Sequence, residues 1–422
     1  MGILNGFTQL VSNGRAIGNH GDSLNVAITA QDNPTIDAFG RIRSVNPFTL
    51  FDSKQIFDNA PLFWDDQEVS GSGTSSSHSV ATASSTLSVS ATTAGRRVRQ
   101  TFMRFNYQPA KSQLVFMTGT LTTAVQSGIK RCMGIYDDDN GIFFCDDGGT
   151  IKAVIRSSTS GSPVDTEVAQ TNWNLDKLDG TGGSGVTLDP TKSQIMVLDF
   201  EWLGVGRVRI GFVVDGLIIY AHEFLNANNL AGVYMSTPNL PLRYEIVNDG
   251  TGGASSLECI CSSVVSEGGQ EKNGILRHTD SGSLSTLSNG TEYAVLGIRL
   301  KSTHVGATIS LAALSLLAAS TNDKAHWELR LNPTVTGTFT YSDVTNSAVQ
   351  IASGAGNNPT VSGGVEIDGG YFTTSLPATN TIPNAIRLGS AIDGTVDEIV
   401  LVAKPITNNI TVEGSLTWRE LV

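Results

Sequence analysis

Through most of this chain, apolar residues recur at every second position, the repeat of a strand with one face in a core and the other in water. The stretch after residue 206 shows it best. Val208, Ile210, Phe212 and Val214 alternate with Arg207, Arg209, Gly211 and Val213, Asp215-Gly216 supplies the residues of a type I′ turn, and 217–224 returns. That predicts a hairpin. In "HWELRL", Trp327, Leu329 and Leu331 fall on one face and His326, Glu328 and Arg330 on the other. The closing run "NITVEGSLTWRELV" places Ile410, Val412, Leu416 and Trp418 inward. Shorter runs such as "QLVFMTGTL", "GIFFCDD", "TIKAVIRSS" and "QIMVLDFEWLG" are rich in β-branched and aromatic residues and are bounded by Gly, Asp and Asn. The apolar run 307–319 fits either a buried strand or a helix, with strand the better reading. The Ser/Thr-rich tract 70–95 has the composition of a linker, yet Leu87 and Val89 alternate with Ser88 and Ser90 and predict a polar strand.

One stretch obeys neither period. "DAFGRIRSVNPFTLFDSKQIFDNAPLFWDDQ", residues 37–67, carries Phe39, Phe48, Phe51, Phe57, Phe63 and Trp64 in a chain that is 7% aromatic. Each such side chain gains roughly 1.5–3 kcal/mol on burial. Without a period of its own the segment cannot make a core alone, so it reads as an arm covered by its own sandwich or by a neighbouring subunit. The texture divides the chain into an arm over 1–59, a β-sandwich over 60–268 and a C-terminal β-sandwich over 269–422, with a linker at 265–275. The fold expected is all-β and antiparallel.

Composition narrows the function. Of 422 residues only 16% are charged, 45 are glycine, and the net charge is −12. That balance suits turn-rich β structure and argues against nucleic acid, which needs a basic face. Arg96, Arg97, Arg99 and Arg104 cluster in "GRRVRQTFMRF", and alternate arginines on a strand form a solvated or ion-paired face. No secretory signal, myristoylation pattern or membrane span is expected. Cys132, Cys145, Cys259 and Cys261 are too sparse for a disulfide framework, and reduced thiols fit cytoplasmic synthesis. Strand period places Cys259 and Cys261 on the same face, too far apart to bridge.

Motifs of catalysis are missing from the sequence: no G-x-S-x-G, no second histidine after the "HEFLN" at His222, no P-loop. No catalytic, cofactor-binding or metal residue is assigned, and no enzyme activity or cofactor is expected. The turn "YDDDNG" sets Asp137, Asp139 and Gly141 in a partial calcium-loop pattern, but it lacks the closing glutamate and reads as a solvated turn.

The segments "AFGRIRSVNPFTLFDSKQIFDNAPLFWDDQE" and "GTSSSHSVATASSTLSVSATTAGRRVRQTFMRFNYQPAKSQLVFMTGTL", with "HWELRLNPTVTGTFTYSDV" and "GSLTWREL", resemble a family of structural proteins of tailed bacteriophages, tail-fibre or virion proteins. Residues 194–224 also resemble concanavalin-like lectin jelly rolls, which implies a lectin-like β-sandwich over 60–268. The resemblance implies a virion component, synthesised in the host cytoplasm: an oligomeric, trimeric fibre, spike or capsid-decoration subunit attached to other virion proteins through residues 1–59. The alternative is a glycan-binding adhesin on the same scaffold, with Trp173, Trp202 or Tyr234 stacking on sugars of the host surface.

Overall fold

The computed structural model describes residues 37–39, 41, 46–121, 126–271, 273–319, 323–374, 378–381, 387–407 and 409–421. It also describes two short strand pairs, Val11–Ser12 with Arg15–Ala16 and Asn19–His20 with Ser23–Leu24. The rest of the expected arm lies outside the described residues.

The fold is all-β, and every strand pair is antiparallel. An eight-stranded sheet runs Leu217–Phe224, Val208–Val214, Gln194–Phe200, Ser112–Thr120, Ser255–Glu267, Ser84–Val89 and Thr74–Ser79, with Phe48–Lys54 added beside Ser255–Glu267. A seven-stranded sheet faces it, in the order Val164–Ala169, Thr150–Ser157, Gly141–Asp147, Ile129–Tyr136, Leu242–Asn248, Gly95–Thr101 and Trp64–Gly71. Alternate residues of both sheets, among them Phe144, Ile210, Phe212, Leu257 and Val264, interleave into one core. A four-stranded and an eight-stranded sheet enclose a second core, which holds Trp327, Leu329, Leu416 and Trp418.

The alternation expected from the sequence is present in the hairpin at Asp215-Gly216. Val214 pairs with Leu217, and φ is 50° at Asp215 and 79° at Gly216, the two positive values of a type I′ turn. Residues Thr308–Ala318 form a strand. The Ser/Thr-rich tract forms the hairpin Thr74–Ser79 with Ser84–Val89, and Leu87 and Val89 enter the first core.

Three expectations need correcting. The end of the supposed arm is part of the first sandwich: Phe48–Lys54 pairs with Ser255–Glu267, and Leu50, Phe51 and Trp64 are buried in its core. The aromatic run hides its period because one short strand is followed at once by an irregular turn. Cys132 and Cys145 form a disulfide, since they stand opposite each other on neighbouring strands with Cα atoms 4.2 Å apart. Cys259 and Cys261 do not share a face, because a bulge opposite Thr118/Gly119 shifts the register; Cys259 is buried and Cys261 exposed.

Polar contacts join the two sandwiches. The amide of Asn239 donates to the carbonyl of Gly306 (3.0 Å), the N–H of Ile392 to the Asp65 carboxylate (2.7 Å), and the N–H of Ser390 to the carbonyl of Phe102 (3.0 Å).

Candidate functional site

A polar cleft of about 430 Å³ lies where the sandwiches meet. One wall is the turn that joins Ile129–Tyr136 to Gly141–Asp147. Asp137 organises it: Oδ1 accepts the N–H groups of Asp139 (2.9 Å) and Asn140 (2.8 Å), and Oδ2 accepts from Arg104. Asn140, 2% exposed, donates to Ser236 Oγ (2.9 Å) and Ser158 Oγ (3.1 Å) and accepts from the Ser236 N–H (2.9 Å). This network fixes both serine hydroxyls at the cleft wall. The opposite wall comes from the second sandwich, Thr303 to Ala307, including His304. Asp139 is exposed at the rim. The calcium pattern in the sequence is thus a turn whose first carboxylate is committed to Arg104 and to backbone N–H groups. No cluster of three or more His, Cys, Asp or Glu suited to a metal is found among the described residues.

The outer face of the seven-stranded sheet carries a second arrangement. Tyr136 and Phe143 stack with centroids 4.2 Å apart beside the Cys132–Cys145 disulfide. The guanidinium of Arg243 lies 5.3 Å from the Tyr136 ring centre and that of Arg156 lies 5.2 Å from Phe143. Arg96 and Arg243 share Asp138 and Glu245, Arg156 holds Asp165, and Lys152 reaches Asp147 and Glu167. Burial opposes ionisation of Asp138, but Arg243 and Arg96 overcome it and hold its pKa down to about 2. Arg97 and Arg99 both meet Asp66, and Arg104 meets Asp137, so the arginine cluster is an ion-paired face.

The aromatics suggested as sugar platforms serve the interior instead. Trp173 and Tyr234 are 3% and 4% exposed, and Trp202 packs against the same core. Their polar atoms are tied to backbone carbonyls, Trp173 to Val168, Trp202 to Met235 and Tyr234 to Glu201. Trp173 and Tyr234 offer no free ring face, and Trp202 is partly exposed.

The third feature is apolar. Between Phe48–Lys54 and Trp64–Gly71 the chain makes a turn around a cleft of about 450 Å³, with Ile56, Phe57, Leu62 and Phe63 exposed by 43%, 87%, 54% and 47%. Phe63 also touches buried Phe51 edge-on, with centroids 6.0 Å apart, so the patch is seated on the core. Phe57 and Phe63 stand out in the sequence, whereas Ile56 and Leu62 do not, since only the turn geometry brings them beside the two phenylalanines.

No protein-family model and no curated protein matches the sequence. Similarity to solved structures covers about half the chain. A β-1,3-glucanase from Mycobacterium marinum is 10% identical, with 51% of this chain and 98% of that one covered and a TM-score of 0.35. A legume lectin-like domain from Entamoeba histolytica is 10% identical (51% and 95% covered, TM-score 0.30), and the CBM2 module of the evolved Dit of Lactobacillus casei BL23 phage J-1 is 8% identical (52% and 95%, TM-score 0.34). No family match accompanies the resemblance to tail-fibre proteins. A correction follows for catalysis. The exclusion of enzyme activity is withdrawn, because the similar structures include that glucanase and a glycoside hydrolase family protein.

Proposed function

We propose that this chain is a structural subunit of a tailed-phage virion that assembles with copies of itself, as a trimer, and with other virion proteins through its N-terminal part. The observation that carries the reading is the patch of Ile56, Phe57, Leu62 and Phe63, four large apolar side chains side by side on a low-charge surface. Covering them gains roughly 1.5–3 kcal/mol per side chain when burial is complete, enough to drive association. The sequence resemblance to virion proteins supplies the setting, and residues 1–47 precede the patch as the attachment arm.

Light scattering at micromolar concentration tests the assembly. The wild-type chain is expected to be oligomeric, and a Phe57→Ser/Leu62→Ser double variant monomeric with an unchanged circular dichroism spectrum. A monomeric wild-type protein rules the reading out, and so does failure to find the chain in purified particles.

A second reading is glycan contact at the host surface on the same molecule. What favours it is the cleft between the sandwiches, which Ser158, Ser236 and Thr303 line with hydroxyl groups. A glycan array on the purified protein tests it.

A further inference from the structure

A smaller pocket, about 230 Å³, opens at the junction of the two sandwiches. Phe48 from the first strand of the first sandwich, Gln270 from the connection after Ser255–Glu267, and Thr308, Ser310, Arg387 and Leu421 from the second sandwich line it. Arg387 is anchored by its backbone, which bridges to Ser310. Its side chain is partly buried, and that burial pushes its pKa down. Among the described residues it has no carboxylate and no hydrogen-bond partner.

Arg277 and Arg299 also lack a carboxylate there, but each has hydrogen-bond acceptors, which Arg387 does not. Arg96, Arg97, Arg131, Arg156, Arg243 and Arg330 each hold a carboxylate, in a chain with 39 acidic and 27 basic residues. A guanidinium partly withdrawn from water with no carboxylate beside it is free to take an anion from solution. Two further groups in the same lining are unsatisfied: Thr308 Oγ1, in a residue 5% exposed, and Gln270 Oε1 are buried without a hydrogen-bond partner. The hydroxyl can donate, and the amide donates once turned over. Arg419 adds positive charge to the lining, and the carboxylate of Glu271 stands exposed at the mouth. Phe48, 44% exposed, and Leu421 offer an apolar wall.

A guanidinium fork, hydroxyl and amide donors and an apolar wall in one small pocket are the complement of a pyranose ring that bears a carboxylate: the fork takes the carboxylate in two parallel bonds, the donors take ring hydroxyls, and the wall takes the C–H face. We propose that this pocket binds the carboxylate of an acidic sugar residue. This deepens the glycan-contact reading and rests on it, while moving the contact from the larger cleft to Arg387.

Calorimetric titration of the full chain tests it with D-glucuronate, D-glucose and acetate as probes. Glucuronate is expected to bind with a Kd below about 10 mM, with glucose silent and acetate weaker. Arg387→Met should weaken glucuronate at least about tenfold, and Thr308→Val should weaken it less. Without ligand, Arg387→Met should melt no lower than wild type, since it removes an uncompensated charge. No binding of glucuronate, even in Glu271→Gln, overturns the proposal, as does equal binding to the Arg387→Met chain. Acetate binding as tightly as glucuronate overturns the sugar assignment. An unliganded Arg387→Met chain that melts well below wild type shows that Arg387 already has its counter-charge within the protein. Glycan-array signals confined to neutral sugars and insensitive to Arg387→Met sink this proposal and leave the broader glycan reading standing.

Discussion

His222 shows how much a single side chain can decide. It lies on the return strand of the Asp215-Gly216 hairpin, 7% exposed, with its Nδ1 accepting the N–H of Asn174 at 3.3 Å and its ring edge-on to Phe224. The ring is therefore held neutral, and burial lowers its pKa from 6.5 to about 4. Between those values the unfolded chain takes up a proton that the folded chain refuses. The stability His222 contributes is complete above pH 6.5 and is lost as pH falls toward 4, an effect on the order of 3 kcal/mol at most. Melting temperature measured from pH 7.5 to 4.5 should fall in wild type and fall less in His222→Gln; equal slopes would show that the imidazole is not the group responsible. In sequence, "HEFLN" suggested only a broken metal motif, because burial of an imidazole leaves no mark on its neighbours. The same holds for Arg131 and Asp146, which face each other across paired strands inside the first sandwich at 2.8 Å and are almost wholly buried. Alternation reads such residues as a wet face or a turn; only the completed fold shows a paired charge in the interior.

At the scale of elements, Phe48–Lys54 changes where the first sandwich begins. Besides Leu50 and Phe51 in the core, the residues after it satisfy buried polar groups: Gln55 accepts from Arg99 (2.9 Å) and Ser85 (3.0 Å), and the carbonyl of Asn59 also takes Arg99. A chain beginning at Ala60 would bare part of the core and strip Arg99 of these acceptors. It should lose roughly 3–6 kcal/mol from the two apolar side chains alone, whereas a chain beginning at Asn46 should unfold near the full-length midpoint. Urea denaturation of the two compares them directly, and equal midpoints would mean that this strand is dispensable. Ile410–Leu421 alternates cleanly and was legible from its own residues, as was the apolar face of Lys324–Leu331, whose opposite face corrects the reading because Glu328 and Arg330 are buried as an ion pair rather than wet. Phe48–Lys54 was not legible, since seven residues with a register shift at Val264/Val265 carry too little period to count. The Cys132–Cys145 bond was missed for a related reason: it depends on which residues a hairpin sets opposite each other, and the 13-residue separation alone does not say so.

For the whole molecule, the all-β class was readable from composition and period, while the partners of each strand were not. Turns announce hairpins, but nothing local announces that Ser255–Glu267 lies between Ser112–Thr120 and Ser84–Val89. Two of the three clefts share that limit, since they draw walls from residues more than 100 positions apart, such as Asn140 with His304 and Phe48 with Thr308, whereas the cleft at Phe57 is lined by residues 52–63 alone. One such long-range placement bears on the order of events during synthesis. Ile410–Leu421 sits in the middle of its sheet, between Ile275–Leu287 and Thr308–Ala318, and Trp418 and Leu416 fill the second core from it. The first sandwich has all its strands once Glu267 is made; the second must wait for its last strand before its central pairings exist. A chain released at Pro405 should therefore contain a protease-resistant first sandwich followed by a digestible remainder, and resistance of the remainder would refute this order. During translation the two halves then become safe at different times, and the interval between them is when the unpaired strands of the second are open to the wrong neighbour.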